Sequence, residues 1–249
     1  MSHHLVECRE VSFTYPDGTP ALRDISFRIT HGEAVAVIGA NGAGKSTLLL
    51  HLAGVLLPQS GTVRVGDVLV DSSHLDEVRR TVGFVFQNPD DQLFMPTVFE
   101  DVAFGPRNLG IPEDQLENRV LEALRSVGAD HVRDRAPYHL SGGEKRAVSI
   151  ATVLALQPKI LVLDEPAANL DPVNRRKVIR LLTQFSHTRI LATHDLDLAL
   201  DVCDRVLILH QGRITADGNA ETILRDENIL RQNGLELPLR FQGPMLPKD

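Results

Sequence analysis

The stretch "EAVAVIGANGAGKST", residues 33–47, leaves a chain few choices of fold. Its first half is a short, continuous apolar run, the pattern of a strand buried on both faces of a parallel sheet. Gly39, Gly42 and Gly44 then permit a tight loop whose N–H groups point inward, and a helical pattern runs from Lys45 to about Leu56. Strand, glycine-rich loop and helix in that order is the context that makes G-x-x-x-x-G-K-[ST] more than a chance turn. The bare donors and the positive helix end form an anion nest. The reading is a phosphate cradle over Gly39, Ala40, Asn41, Gly42, Ala43, Gly44, Lys45, Ser46 and Thr47, with Lys45 reaching the β- and γ-phosphates and Ser46 holding Mg²⁺.

The rest of the chain alternates accordingly. "LVECREVSFTY" (5–15) and "ALRDISFRI" (21–29) alternate like antiparallel strands around the turn "PDG". "GTVRVGDVLV" (61–70) reads as a hairpin. After a buried strand at "TVGFVFQ" (81–87), residues 88–158 are rich in helix formers, with clear helices predicted at 112–128 and 142–157. Strands at 159–166 and 189–195, helices at 172–186 and after 195, and a closing hairpin at 205–218 follow. Residues 219–236 read as helical and 237–249 as a loose tail. The outline is an α/β core with a mostly helical insert.

Three further stretches carry chemistry. "ILVLDEP" (160–166) delivers two acids at a strand end. Asp164 is placed to hold Mg²⁺ through water, and Glu165, facing the other way along the strand, can orient or deprotonate a water. "LSGGEKR" (140–146) opens a helix with Ser141 as N-cap and two glycines that leave its N–H groups bare, a second anion site or simply a capped helix. One chain with one cradle has no need of a second nest, unless that nest serves another subunit. His194 ends a strand, where it can reach a phosphate. Tyr15, in a chain of two tyrosines and no tryptophan, either stacks on a base or caps the first sheet.

Bulk properties remove other classes. The net charge of −7 gives no global basic field for nucleic acid. Cys8 and Cys203 form no CxxC, so neither a disulfide framework nor a zinc site is expected. "MSHHLVECRE" lacks signal-peptide features, and His3 and His4 read as a polar terminus rather than metal ligands. "LLLHLAGVLL" (48–57) is too short to span a membrane.

Tyr15, "GANGAGKST", Gln87, "LSGGE", "ILVLDEP", "NLD" at 169–171 and His194 together resemble, in order and spacing over roughly residues 5–218, the ATP-binding subunits of ABC transporters. The resemblance implies a P-loop NTPase fold of the ABC-ATPase type: a RecA-like core (1–87 and 159–218), an N-terminal antiparallel β subdomain and an inserted α-helical subdomain (88–158), one domain over 1–236. It implies ATP and Mg²⁺, and a head-to-tail homodimer or heterodimer with a second ATPase chain. There Ser141, Gly142, Gly143, Glu144 and Asp171 face the partner's nucleotide, which gives the second nest its purpose. By resemblance Glu165 polarises the attacking water, His194 contacts the γ-phosphate, and Gln87 joins Ser46 and Asp164 around Mg²⁺. Glu144 stands where glutamine is common, and Asn169 where small residues are usual; asparagine tolerates a left-handed backbone.

"FQNPDDQLF" (86–94) continued by "PTVFEDVAFGPRNLG" (96–110) resembles one branch, the ATPases of energy-coupling factor importers for cobalt, nickel or vitamins. That implies a peripheral place on the cytoplasmic membrane face. It also implies an integral membrane coupling protein, whose arginines would meet Asp90, Asp91 and Gln92, and a substrate-binding membrane protein. The competing readings are an ATPase of another ABC transporter class and a soluble ABC ATPase acting on nucleic acid or the ribosome. The absence of coiled-coil inserts and the acidic balance disfavour the latter.

Overall fold

The computed structural model describes residues 4–242. The chain starts with a hairpin, β1 (His4–Thr14) and β2 (Pro20–Thr30), followed by β3 (Ala34–Ile38) and helix α1 (Lys45–Leu52). β4 (Ser60–Val65) and β5 (Val68–Leu69) form the second hairpin; α2 (Leu75–Thr81) and β6 (Val82–Val85) follow. Then come three helices, α3 (Val98–Asn108), α4 (Glu113–Ser126) and α5 (Gly142–Leu154). The alternation resumes with β7 (Ile160–Asp164), α6 (Pro172–Gln184), β8 (Thr188–Thr193), α7 (Leu196–Val202), β9 (Arg205–His210) and β10 (Arg213–Asn219). Two short helices, α8 (Ala220–Arg225) and α9 (Glu227–Gln232), take the place of the continuous helical stretch expected there, because Asp226 interrupts as the N-cap of the second. α2 and α3 were not individually read from the sequence; both are short or interrupted by Pro106.

Two sheets result. One is antiparallel, in the order β2-β1-β4-β5; the other runs β10-β9-β3-β8-β7-β6, parallel except for the edge strand β10. β3 and β7 are buried at every position, as unbroken apolar runs on a two-faced sheet must be. One apolar cluster fills the space between the sheets and includes Val11, Ile25, Leu48 and Val162. A second lies on the other face under α5–α9, and a third is built mainly within α3–α5. Cys8 and Cys203 are both free thiols buried in these clusters; burial is the main force raising each thiol pKa, that of Cys203 to about 12.

The expected loose tail differs from what its described part shows. Leu239–Phe241 forms a 3₁₀ turn held on α7: Arg240 bonds the carboxylates of Asp197 at 2.7 Å and Asp201 at 2.6 Å. The turn's N–H groups also bond Asp197. His3 and residues 243–249 lie outside the described residues.

Candidate functional site

β3, β8 and β7 are neighbours, with Ile38 opposite Thr193 and Asp164 opposite Ala192. Their carboxyl ends therefore bring three sequence segments to one place, where open α/β sheets bind ligands. The 39–44 loop leaves β3. Gly44, the N-cap of α1, has φ 105° and offers no side-chain acceptor to the helix. A Cβ there would lie 2.5 Å from the Ala21 carbonyl oxygen, so only glycine closes the loop. The first amides of α1 thus start without a side-chain cap, the condition for receiving an anion. Lys45 is buried and its ammonium bonds the carbonyls of Gly39 (2.9 Å) and Ala40 (3.2 Å). Burial lowers its pKa, against the pull of Glu165 and Asp164.

Asp164 ends β7 and is buried, and its Oδ1 has no hydrogen-bond partner among the described residues. Burial raises its pKa; the Ser46 hydroxyl, Lys45 and Arg146 oppose the rise, and Glu165 adds to it. A desolvated carboxylate oxygen without a donor, beside a serine hydroxyl, fits a hard divalent cation with oxygen ligands. The residues present therefore suit Mg²⁺.

Glu165 lies after the strand has ended, at φ 46°, so a left-handed turn and not strand alternation aims it, contrary to the expectation. Its N–H bonds the Ala192 carbonyl, and its carboxylate is held from β8: Oε2 accepts from Thr193 Oγ1 at 3.1 Å, and Oε1 from the His194 N–H at 3.0 Å. Oε1 also accepts a hydrogen bond from His194 Nδ1 at 2.8 Å, which orients a largely exposed ring. A strained acid that is overdetermined by its neighbours is a usual mark of a functional position. Tyr15 packs edge-on against Phe13, as a cap of the first sheet would, and its hydroxyl bonds Thr47 Oγ1 at 3.0 Å, which places it beside the loop.

The second nest is built as expected locally. Ser141 and Glu144 form a full capping box, so Glu144 serves the helix start as well as glutamine could. A Cβ on Gly142 would meet nothing within 4 Å, so neither packing nor a special φ accounts for that glycine. Among the described residues no hydrogen bond or ion pair joins Ser141–Glu144 to residues 39–47. Asp171 caps α6, accepting from the N–H groups of Val173 (2.9 Å) and Asn174 (3.0 Å), and these bonds with the Asn174 side chain lower its pKa. Asn169 has φ 60°, the left-handed geometry its amide tolerates.

The 86–94 stretch divides. Gln87 is exposed and lines a cavity of about 400 Å³ with Gly142 and Asn169. Asp90 pairs with Lys145 at 2.6 Å but stays 62% exposed, and Asp91 is exposed. Gln92 is turned inward: its amide bonds the Phe86 N–H, the Ser149 carbonyl and Thr152 Oγ1, leaving it no group for a docking partner. Sequence reading missed Arg146. Its guanidinium is buried and donates to the carbonyls of Phe86 (2.7 Å) and Gln87, tying α5 to the start of this stretch. It also missed Thr193 and Arg175, whose guanidinium holds Asp195, the N-cap of α7, at 2.9 Å. Arg146 lies inside the LSGGEKR stretch, but nothing in that stretch marks the carbonyls of Phe86 and Gln87, some sixty residues away, as its partners.

The family model described as "ABC transporter" matches residues 22–168. The chain is 58% identical over 98% of its length to a Geobacter sulfurreducens protein, 98% covered, provisionally named an ABC transporter ATP-binding protein. It is 51% identical to the energy-coupling factor transporter ATP-binding protein EcfA of Methanothermobacter thermautotrophicus, over 94% of this chain and 77% of that one. Among solved structures, cbiO1 of Clostridium perfringens, described as part of the ABC transporter complex cbiONQ, superposes with a TM-score of 0.81 at 37% identity, covering 93% of this chain and 94% of that one. A dimeric structure of the cassette MJ0796 bound to ADP and Pi gives 0.78 at 28% identity, covering 86% and 98%.

Proposed function

The chain belongs to the ABC transporter family as an ATP-hydrolysing subunit, and from that premise we propose that it powers an importer of the energy-coupling factor type, taking up cobalt, nickel or a vitamin through membrane subunits. The observation that carries the finer reading is the 51% identity to a protein named for that transporter class. The likeness to cbiO1 and the exposed Asp90 and Asp91 support it.

In this reading the amides of residues 39–47 and Lys45 hold the phosphates, and Tyr15 carries the base. Ser46, Asp164 and Gln87 would hold Mg²⁺, which when bound neutralises the phosphate oxygens in the transition state. Glu165 takes the proton of the attacking water, and His194, whose ring is oriented through its Nδ1–H, contacts the γ-phosphate. Ser141, Gly142, Gly143, Glu144 and Asp171 complete the partner chain's site in a head-to-tail dimer, like the second nest without local use described above. One domain spans 1–236, with 88–158 as its helical insert. Asp90 and Asp91 receive arginines of the membrane coupling protein, on the cytoplasmic face; no helix among the described residues is long and apolar enough to cross a membrane itself.

The test is gentle detergent purification from native membranes with mass spectrometry. The expected companions are a multi-span coupling protein and a substrate-binding membrane protein. Companions of another transporter architecture would favour the other ABC class, and only DNA- or ribosome-associated companions would end the importer reading.

A further inference from the structure

Asp171 and the Gly142–Gly143 turn sit on different helices, yet one side chain touches both. Asn174 Nδ2 donates to Asp171 Oδ2 at 2.5 Å. The same amide lies on the backbone of Gly143: a Cβ built there would be 2.3 Å from Asn174 Nδ2 and 2.6 Å from its Cγ. A side chain at 143 would have to displace the Asn174 amide, whereas at Gly142 the Cβ position is open. Behind this contact α5 and α6 part around a cavity of about 540 Å³, lined by Ala147, Ile150, Val178 and Leu181. The helices thus meet through Asn174 at their N-terminal tips and separate beyond it. Val173, beside the contact, is an exposed apolar side chain.

We propose that Asn174 is a positioning residue that sets the spacing between Asp171 and the Gly142–Gly143 turn, so that both elements arrive together at the nucleotide held by the partner chain. The inference rests on the head-to-tail dimer reading. A carboxylate already committed to two backbone amides can move only with its helix, and the Asn174 amide links that helix start to the glycine turn.

The experiment uses the full chain. Glu165→Gln should slow hydrolysis and, with ATP, run at twice the monomer mass in size exclusion with light scattering. Adding Asn174→Ala should weaken that dimer roughly ten- to a hundredfold, the scale of a lost hydrogen bond to a charged group. With Glu165 intact, Asn174→Ala should lower kcat about tenfold, a comparable loss, with KM for ATP and the melting temperature unchanged. Asp171→Ala and Asn174→Ala combined should cost no more than either alone, as coupled neighbours do. Asn174→Ser, which keeps a short polar group in the helix's first turn, gives the same reading if the alanine variant melts early. If Glu165→Gln dimerises and Asn174→Ala in that background dimerises equally, or if the two substitutions add, the positioning role is wrong while the dimer stands. If Glu165→Gln with ATP stays monomeric, the dimer reading fails and takes this inference with it.

Discussion

A buried Asp164 with an unpaired oxygen is held there at a cost to the fold. Its pKa is raised, so the folded chain binds more protons than the unfolded one just above the ordinary value of 3.8, and stability falls as pH rises through that window. Asp164→Asn removes the buried charge. The expected result is a fold more stable by about 1 kcal/mol near neutral pH without Mg²⁺, a rise of roughly 2–4 °C at this chain length. That increment should shrink as pH falls toward 4, and Mg²⁺-dependent ATP turnover should be lost. Calorimetry across pH and a phosphate-release assay check both. An unchanged melting temperature would mean that Lys45, Ser46 and Arg146 already compensate the carboxylate. At this scale the sequence was most legible: the motif spacing named Lys45, Asp164, Glu165 and His194, and the structure groups them at adjacent strand ends. What it hid were partners whose contacts cross long sequence separations, such as Thr193 on Glu165 and Arg146 on the Phe86 carbonyl. Gln92 looked available because nothing in "PDDQLF" shows that α5 lies within reach of its amide.

Elements were legible where pattern and environment agreed. Strands buried on both faces, β3 and β7, read as apolar runs, and α4 announced itself by periodicity between Pro112 and Gly128. α2 escaped because a helix of 7 residues with a single buried residue, Val78, has no stripe to display. The packing of α5 on β6 depends on a glycine that no motif marks. A Cβ on Gly83 would stand 2.2 Å from Val153 Cγ1 and 2.9 Å from Pro158 Cγ. Gly83→Ala should overpack this junction and cost about 1–3 kcal/mol, a melting point lower by several degrees. Gly142→Ala, with open space at its Cβ, should melt like wild type. If Gly83→Ala also melts like wild type, α5 shifts freely on the sheet edge, and its tie to Phe86 and Gln87 through Arg146 carries more of the registration than the packing does.

For the whole molecule, the sequence foretold an α/β core with a helical insert but not the docking of residues 239–241 on α7, because an exposed arginine gives no clue to a helix it meets 39 residues away in sequence. Burial alone would raise the Asp197 pKa; the bonds from Arg240 and from the Leu239 and Arg240 N–H groups outweigh it, and the result is lowered. A lowered carboxylate pKa gives stability that is present above the unfolded value of 3.8 and lost as pH falls below it. Arg240→Ala should lower the melting temperature by roughly 2–4 °C at neutral pH, the equivalent of about one exposed ion pair. The difference from wild type should narrow in acid. An equal difference at every pH would assign the loss to packing instead. The burial of both cysteines has a practical consequence of another kind. With the Cys8 and Cys203 thiols enclosed and hard to ionise, the folded chain offers a maleimide dye almost nothing to react with. A single cysteine placed at exposed Val173 would then carry the whole label, and the unmodified chain is its own dark background for watching two copies approach.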